Sequence, residues 1–250
     1  ITGQSGVRIK ESIDGFIRNA QPFAQGKEPC VPLRLEEVMT SVYCEAERRQ
    51  AHDTIWMDEI LNLPARRLQD IWDAAFERIL KKVASKELRK RSIILDFHAC
   101  FYHQSTVEYL SFVREELVRK FKPDVFITLI DDIYDVHRRL KEPKQMFCKS
   151  FGGAQDPIGC IFELLRILDW RANEIMMTRH IAEAVGKSHY VLAVKHPYDT
   201  LYKVAYGDAP SFYISHPISE VRRLEERGEV KQARAVANEV HRFEEEMSKN

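Results

Sequence analysis

The sequence predicts an α/β fold, a doubly wound parallel sheet followed by a C-terminal strand-helix extension. Three observations carry this expectation. Apolar runs that read as strands alternate with segments whose apolar residues recur every three or four positions. The two strongest runs, Ser92–Asp96 and Pro123–Asp131, are nearly continuous, as suits central strands covered on both faces. The composition, 44% apolar and 30% charged over 250 residues, is ordinary for a globular protein and suffices for one large domain or two small ones.

The elements follow in order. Ile1-Thr2-Gly3-Gln4-Ser5-Gly6 reads as the end of a strand running into a glycine turn. A helix is expected from about Val7 to Arg18, with Ile9, Ile13, Phe16 and Ile17 on one face. Gln21–Pro32 is rich in proline and glycine and reads as a loop. Val31–Leu35 reads as a short edge strand, and Leu35 to about Arg49 as helix. Leu63-Pro64 opens a helix with Leu68, Ile71, Trp72, Ala75, Phe76, Ile79, Leu80 and Val83 at three- and four-residue spacing. A strand closed by Asp96 comes next, then a helix from about Thr106 to Lys120, then the strand Pro123–Asp131. Glu142–Pro157 is a polar loop. A long helix from about Ile161 to Val185 leads to the strand His189–Lys195. Tyr206–Pro210 is a linker. Beyond it the sequence predicts a strand at Ser211–Ile218 and a charged helix at Glu220–Asn250. The expected domains are therefore 1–206 and 207–250.

Composition also narrows the function classes. Lys+Arg and Asp+Glu both count 38, so no global basic field favours nucleic acid or anionic membrane as a partner. No apolar run is long enough to span a bilayer, and no signal peptide is visible. The five cysteines are scattered without a CxxC pair and read as reduced thiols of a cytoplasmic protein. The chain opens inside a strand without an initiator Met, so further residues are expected upstream of Ile1.

The chemistry is concentrated at the glycine turn. Gly3 and Gly6 let successive backbone N–H groups of Gly3, Gln4, Ser5, Gly6, Val7 and Arg8 converge on an anion, and the helix behind adds its dipole. The complete phosphate-loop pattern, G-x-x-x-x-G-K-[ST], is absent: Arg8-Ile9-Lys10 stands where Gly-Lys-Ser/Thr is required. Lys10 and Ser12 lie just beyond the usual positions, and a two-residue shift turns a helical side chain by roughly 200°. The bland alternative is a tight strand-to-helix turn that binds nothing. Asp96, ending its strand, reads as a magnesium ligand or as the cap of a turn. His98 follows two residues on. Arg138 and Arg139 follow the strongest strand, and Arg166, Arg171 and Arg179 lie on the long helix, with Trp170-Arg171-x-x-Glu174 at its middle. Phosphoryl transfer needs such cations; the alternative is pairing with carboxylates on solvated faces. Arg171, Arg138 and Lys10 are the catalytic candidates.

Ile1-Thr2-Gly3-Gln4-Ser5-Gly6, Ile94-Leu95-Asp96-Phe97-His98-Ala99 and Pro123-Asp124-Val125-Phe126-Ile127, in this order, resemble the adenylate-kinase-like P-loop nucleotide kinases. The last two look like the paired core strands of archaeal-type adenylate kinases. The resemblance covers residues 1–206. It implies a P-loop kinase sheet, ATP or another nucleotide across its C-terminal edge with Mg²⁺, and a nucleoside or nucleotide acceptor under Leu35–Leu61. The departure at Arg8-Ile9 removes the lysine that bridges the transferred phosphate in that family. Residues 211–219 resemble, more weakly, the opening of nucleoside 2-deoxyribosyltransferase-like domains, with His216 in place of a glycine. The expected function is nucleotide binding, as a kinase or as a sensor with little catalysis that controls a C-terminal domain. The terminal helix, with a modest apolar stripe, is a candidate homo-oligomer contact.

Overall fold

The computed structural model describes residues 1–20, 30–49, 57–103, 108–142, 157–206, 224 and 227–248. The chain divides into two compact units, Ile1–Gly207 and Asp208–Asn250. The first unit is mixed α/β, with short parallel and antiparallel strand pairs. Its elements are α1 (Ile9–Ala20), β1 (Val31–Arg34), α2 (Leu35–Ala46), α3 (Met57–Leu61), α4 (Ala65–Val83), β2 (Ile93–Asp96), β3 (Phe101–His103), β4 (Glu108–Leu110), α5 (Glu115–Phe121), β5 (Val125–Ile130), α6 (Ile133–Leu140), α7 (Pro157–Ala184), β6 (Ser188–Ala193) and α8 (Tyr198–Tyr206).

β1 pairs in parallel with β2, and β5 in parallel with β6. The first three residues connect the two pairs. Phe97 N–H donates to Ile1 O at 3.1 Å on one side. On the other, Thr2 N–H donates to Ile127 O and Leu129 N–H to Thr2 O, both at 2.8 Å. Thr2 thus bridges Thr128 in parallel.

Alternation along the strands sorts the core into two faces. Leu33, Leu95 and Phe126 pack with α2, α4 and α5 through Met39, Leu68, Trp72, Phe76 and Val118. Ile94, Ile127 and Leu129 face the other way, against Ile9, Ile13 and Phe16 of α1 and Leu201 of α8. A third cluster, Cys100, Tyr102, Val136, Leu140, Ile167 and Trp170, lies where α6 and α7 meet the residues after β2.

Several expectations need correction. The segment expected as helix from Thr106 is not helical at Glu108–Leu110, which pairs antiparallel with β3. Helix begins only at Glu115. Three-residue strands carry too little period to be seen in sequence. α6 and α8 have no counterpart among the expected elements. In the second unit the expected helix from Glu220 is broken at Arg227-Gly228, where Gly228 takes a φ of +75°, and α9 runs Val230–Ser248. The strand expected at Ser211–Ile218 lies outside the described residues. Among the described residues, no helix is long and apolar enough to cross a membrane.

Candidate functional site

The glycine turn sits at the C-terminal ends of β2 and β5, behind the Ile1–Gly3 segment. Val7 N–H donates to Gln4 O at 3.2 Å, closing a turn with Gly6 third in it. Gly6 has a φ of +85°, the left-handed value that this turn position requires. A Cβ there would also stand 3.1 Å from side-chain carbons of Val136 and Leu140, so α6 lies directly against the loop. At Gly3 a Cβ would meet Leu129 O at 2.9 Å. Both glycines are therefore demanded by close approach, whatever the loop binds.

Ile9 opens α1 with its side chain buried beside Ile13, Phe16 and Leu129. This is the position where the phosphate-loop pattern requires lysine. Arg8 and Lys10, on either side of it, are exposed. The Ser12 hydroxyl donates to Arg8 O at 2.6 Å. Ile9 N–H donates to Val7 O at 2.9 Å. Among the described residues, the N–H groups of Ser5, Gly6 and Arg8 make no hydrogen bond.

Two arginines meet this loop. Arg139 Nη1 donates both to Gly6 O at 2.6 Å and to Asp131 Oδ2 at 2.8 Å, with the Asp131 side chain only 2% exposed. Arg171 donates through Nη2 to Asp131 O and through Nε to Gln4 Oε1 at 3.4 Å. Arg138, by contrast, is 70% exposed and pairs with Asp135 at 3.1 Å. Neighbouring residues on a helix point about 100° apart, and the structure directs Arg139 inward and Arg138 to solvent. Of the catalytic candidates, Arg171 donates to a loop residue, Arg138 pairs with Asp135 in solvent, and Lys10 is exposed on the first turn of α1.

A second polar group lies beside the first, at the end of β2. Asp96 is half-buried there, and burial pushes its carboxyl up to about 6 against the pull of His98 and Arg34. His98 is buried between two acceptors. Its Nδ1 contacts Gly3 O, and its Nε2 lies 2.9 Å from Glu36 Oε1. Both ring nitrogens donate only in the imidazolium form. Burial opposes that charge, but Glu36 first, then Glu174 and Asp96, outweigh it and push His98 up to about 10. Glu36 is held below the usual carboxylate range, its own burial outweighed by His98. Glu174, 1% exposed on α7, accepts N–H groups from Gly3, Ala99 and Cys100 at 3.1, 2.8 and 2.9 Å.

Of the residues singled out in the sequence, Gly6 takes the turn's left-handed position, Arg171 donates to Gln4 of the loop, and Asp96 stands at the end of β2. Arg139 stood there among the cations expected to serve phosphoryl transfer, but Arg138 was preferred to it; Glu174 stood without a role, and Asp131 only as the end of a strand. One signal was present: Asp131 closes the strongest apolar run just as Asp96 closes its own. Among the described residues, no group of three or more His, Cys, Asp or Glu is placed to hold a metal. A separate cavity of about 360 Å³, lined by Ser92, Ile93, Pro123 and Val125 among others, lies at the opposite, N-terminal ends of β2 and β5. No protein-family profile and no curated protein sequence matches the chain.

Proposed function

We propose that this chain is a nucleotide-binding protein of P-loop nucleotide-kinase type, binding phosphate without the usual lysine and transferring it slowly or not at all. One observation carries the reading: a glycine turn at the C-terminal ends of parallel strands, met by two arginines, with buried Ile9 at the lysine position. Counting Ile1–Gly3 as the first strand, the parallel order is β1, β2, Ile1–Gly3, β5, β6. From the central segment the chain goes out to β1 on one side and returns through β2, while β5 and β6 lie on its other side, a reversal of strand order of the kind at which open α/β sheets bind ligands. The helices on both faces support the doubly wound description.

The residues fit a phosphate group better than a bound metal. The N–H groups of Ser5, Gly6 and Arg8 remain for an anion, and Arg171 supplies charge beside them. For magnesium the sequence offers the Asp96 carboxylate; the Ser12 hydroxyl commits its proton to Arg8 O and keeps its lone pairs. Magnesium would be held by Asp96 together with the nucleotide's own phosphates. Burial of Ile9 argues for the binding or sensing reading over the working kinase, since no cation replaces the lysine at its own position.

Calorimetric titration with ATP, ADP and AMP, with and without Mg²⁺, tests this. Saturable binding is expected, with turnover far below the roughly 1–100 per second of working kinases. Arg171→Ala is expected to weaken ATP about tenfold, the loss of one charge-assisted contact. Absence of binding by all three nucleotides overturns the nucleotide reading. Turnover at ordinary kinase rates overturns the weak-transfer reading and returns the kinase.

A further inference from the structure

α7 touches the loop strand in consecutive steps. Thr178 Oγ1 meets Thr2 Oγ1 at 2.8 Å. Glu174 Oε1 accepts Gly3 N–H at 3.1 Å. Arg171 Nε donates to Gln4 Oε1 at 3.4 Å, and Gln4 Nε2 donates to Ile167 O at 3.3 Å. Positions 167, 171, 174 and 178 are four, three and four apart, which is one face of a helix. The loop strand runs from residue 2 to residue 4 while the helix is read from 178 back to 167. Three successive loop residues thus each have their own partner on α7.

Glu174 is the member that reaches furthest. Its Oε1 takes Gly3 and Ala99, and its Oε2 takes Cys100. One carboxylate therefore spans two backbone segments, the start of the glycine turn and the turn after β2. Both oxygens are filled by the protein's own amides, and the side chain has no solvent to fall back on. Arg171 stands one turn away on the same face, and its guanidinium is the group offered to a bound phosphate.

We infer that Glu174 is a positioning residue for the nucleotide site: it locks α7 onto Gly3 and the Ala99–Cys100 turn, and so sets where Arg171 stands over the loop. The functional part of this rests on the nucleotide-binding reading above. The geometric part does not.

Glu174→Ala and Glu174→Gln in the full chain separate the possibilities, followed by amide hydrogen exchange, the Arg171 Nε–H resonance and ATP titration. In Glu174→Ala, protection at Gly3, Ala99 and Cys100 is expected to fall together, and the Arg171 signal to move. In Glu174→Gln the amide oxygen still serves Gly3 and Ala99, so exposure is expected at Cys100 alone. ATP affinity is expected to fall about tenfold in the alanine variant, as for a displaced arginine contact, and to be mostly rescued by glutamine. In an Arg171→Ala background, Glu174→Ala is expected to cost nothing further, because the effect runs through Arg171.

A tenfold loss that persists without Arg171 overturns the proposal. So does an alanine variant whose exchange pattern and Arg171 resonance match the parent's. If the alanine variant does not fold, the Cys100-only pattern in Glu174→Gln decides. If the unaltered protein binds no nucleotide, the function reading fails, while exchange and the Arg171 resonance still judge the positioning claim.

Discussion

At the scale of single residues, buried charge placement dominates. His98 is held as an imidazolium between Gly3 O and Glu36, with Glu174 and Asp96 nearby. Its folded pKa, about 10, lies above the ordinary 6.5. A raised histidine stabilises the fold fully below the unfolded value and loses that contribution as pH rises through the folded value. Stability to urea is therefore expected to fall between about pH 6.5 and pH 10, because proton binding is linked to folding across that window. His98→Gln is expected to flatten this slope. A parent protein whose urea midpoint is constant over that window refutes the charged bridge. Asp96, raised to about 6 from 3.8, acts with the same sign but below this window.

At the scale of elements, α7 is held to the strands by a chain of hydroxyls. Thr178 donates to Glu174 O at 2.8 Å, within its own helix. Its single proton is then committed, so Thr2 must donate to Thr178, and Thr128 to Thr2, each at 2.8 Å. His189 Nε2, 2.8 Å from Thr128 Oγ1, must therefore be a donor. Burial first, then Arg179, pull the His189 pKa below its usual value and favour the neutral ring. The expected species is the neutral Nε2–H tautomer, read directly from ring nitrogen shifts by NMR; the Nδ1–H tautomer would break the chain. Thr178→Val is expected to cost about 1–3 kcal/mol in urea unfolding, the penalty for a buried hydroxyl left without its partner. α7 also shows why its inward face is hidden from sequence. Ile161, Leu165, Leu168 and Met176 are exposed, while Ile167 and Trp170 are buried. With apolar residues on both sides, periodicity does not say which side faces the sheet.

At the scale of the molecule, the three apolar clusters draw, among the described residues, on the first unit alone. A chain ending at Gly207 is accordingly expected to unfold in one cooperative transition, near the parent's temperature for that unit. Calorimetry of the truncated protein checks this. Aggregation, or loss of the transition, would mean that residues beyond Gly207 complete the first unit's core. The second unit offers α9, with Ala233 buried and Val230 exposed. Its role as a contact between copies is a proposal, tested by the same truncation in sedimentation.

Local sequence was enough for the mixed α/β class, the strands ending in Asp96 and near Asp131, and the turn between Gly3 and Gly6. Each is a short-range matter: an apolar run, a closing carboxylate, a glycine where the backbone turns left-handed. The β3–β4 hairpin was not legible in this way, because three-residue strands gain their identity from the partner strand and not from period. Only the folded chain established that Ile9 is buried at the lysine position, that Arg139 and not Arg138 faces the loop, and that Glu174 gathers three amides. Those outcomes depend on which face of α1, α6 and α7 meets the strands. Burial against a distant segment chooses that face, and no short stretch of sequence contains the distant segment.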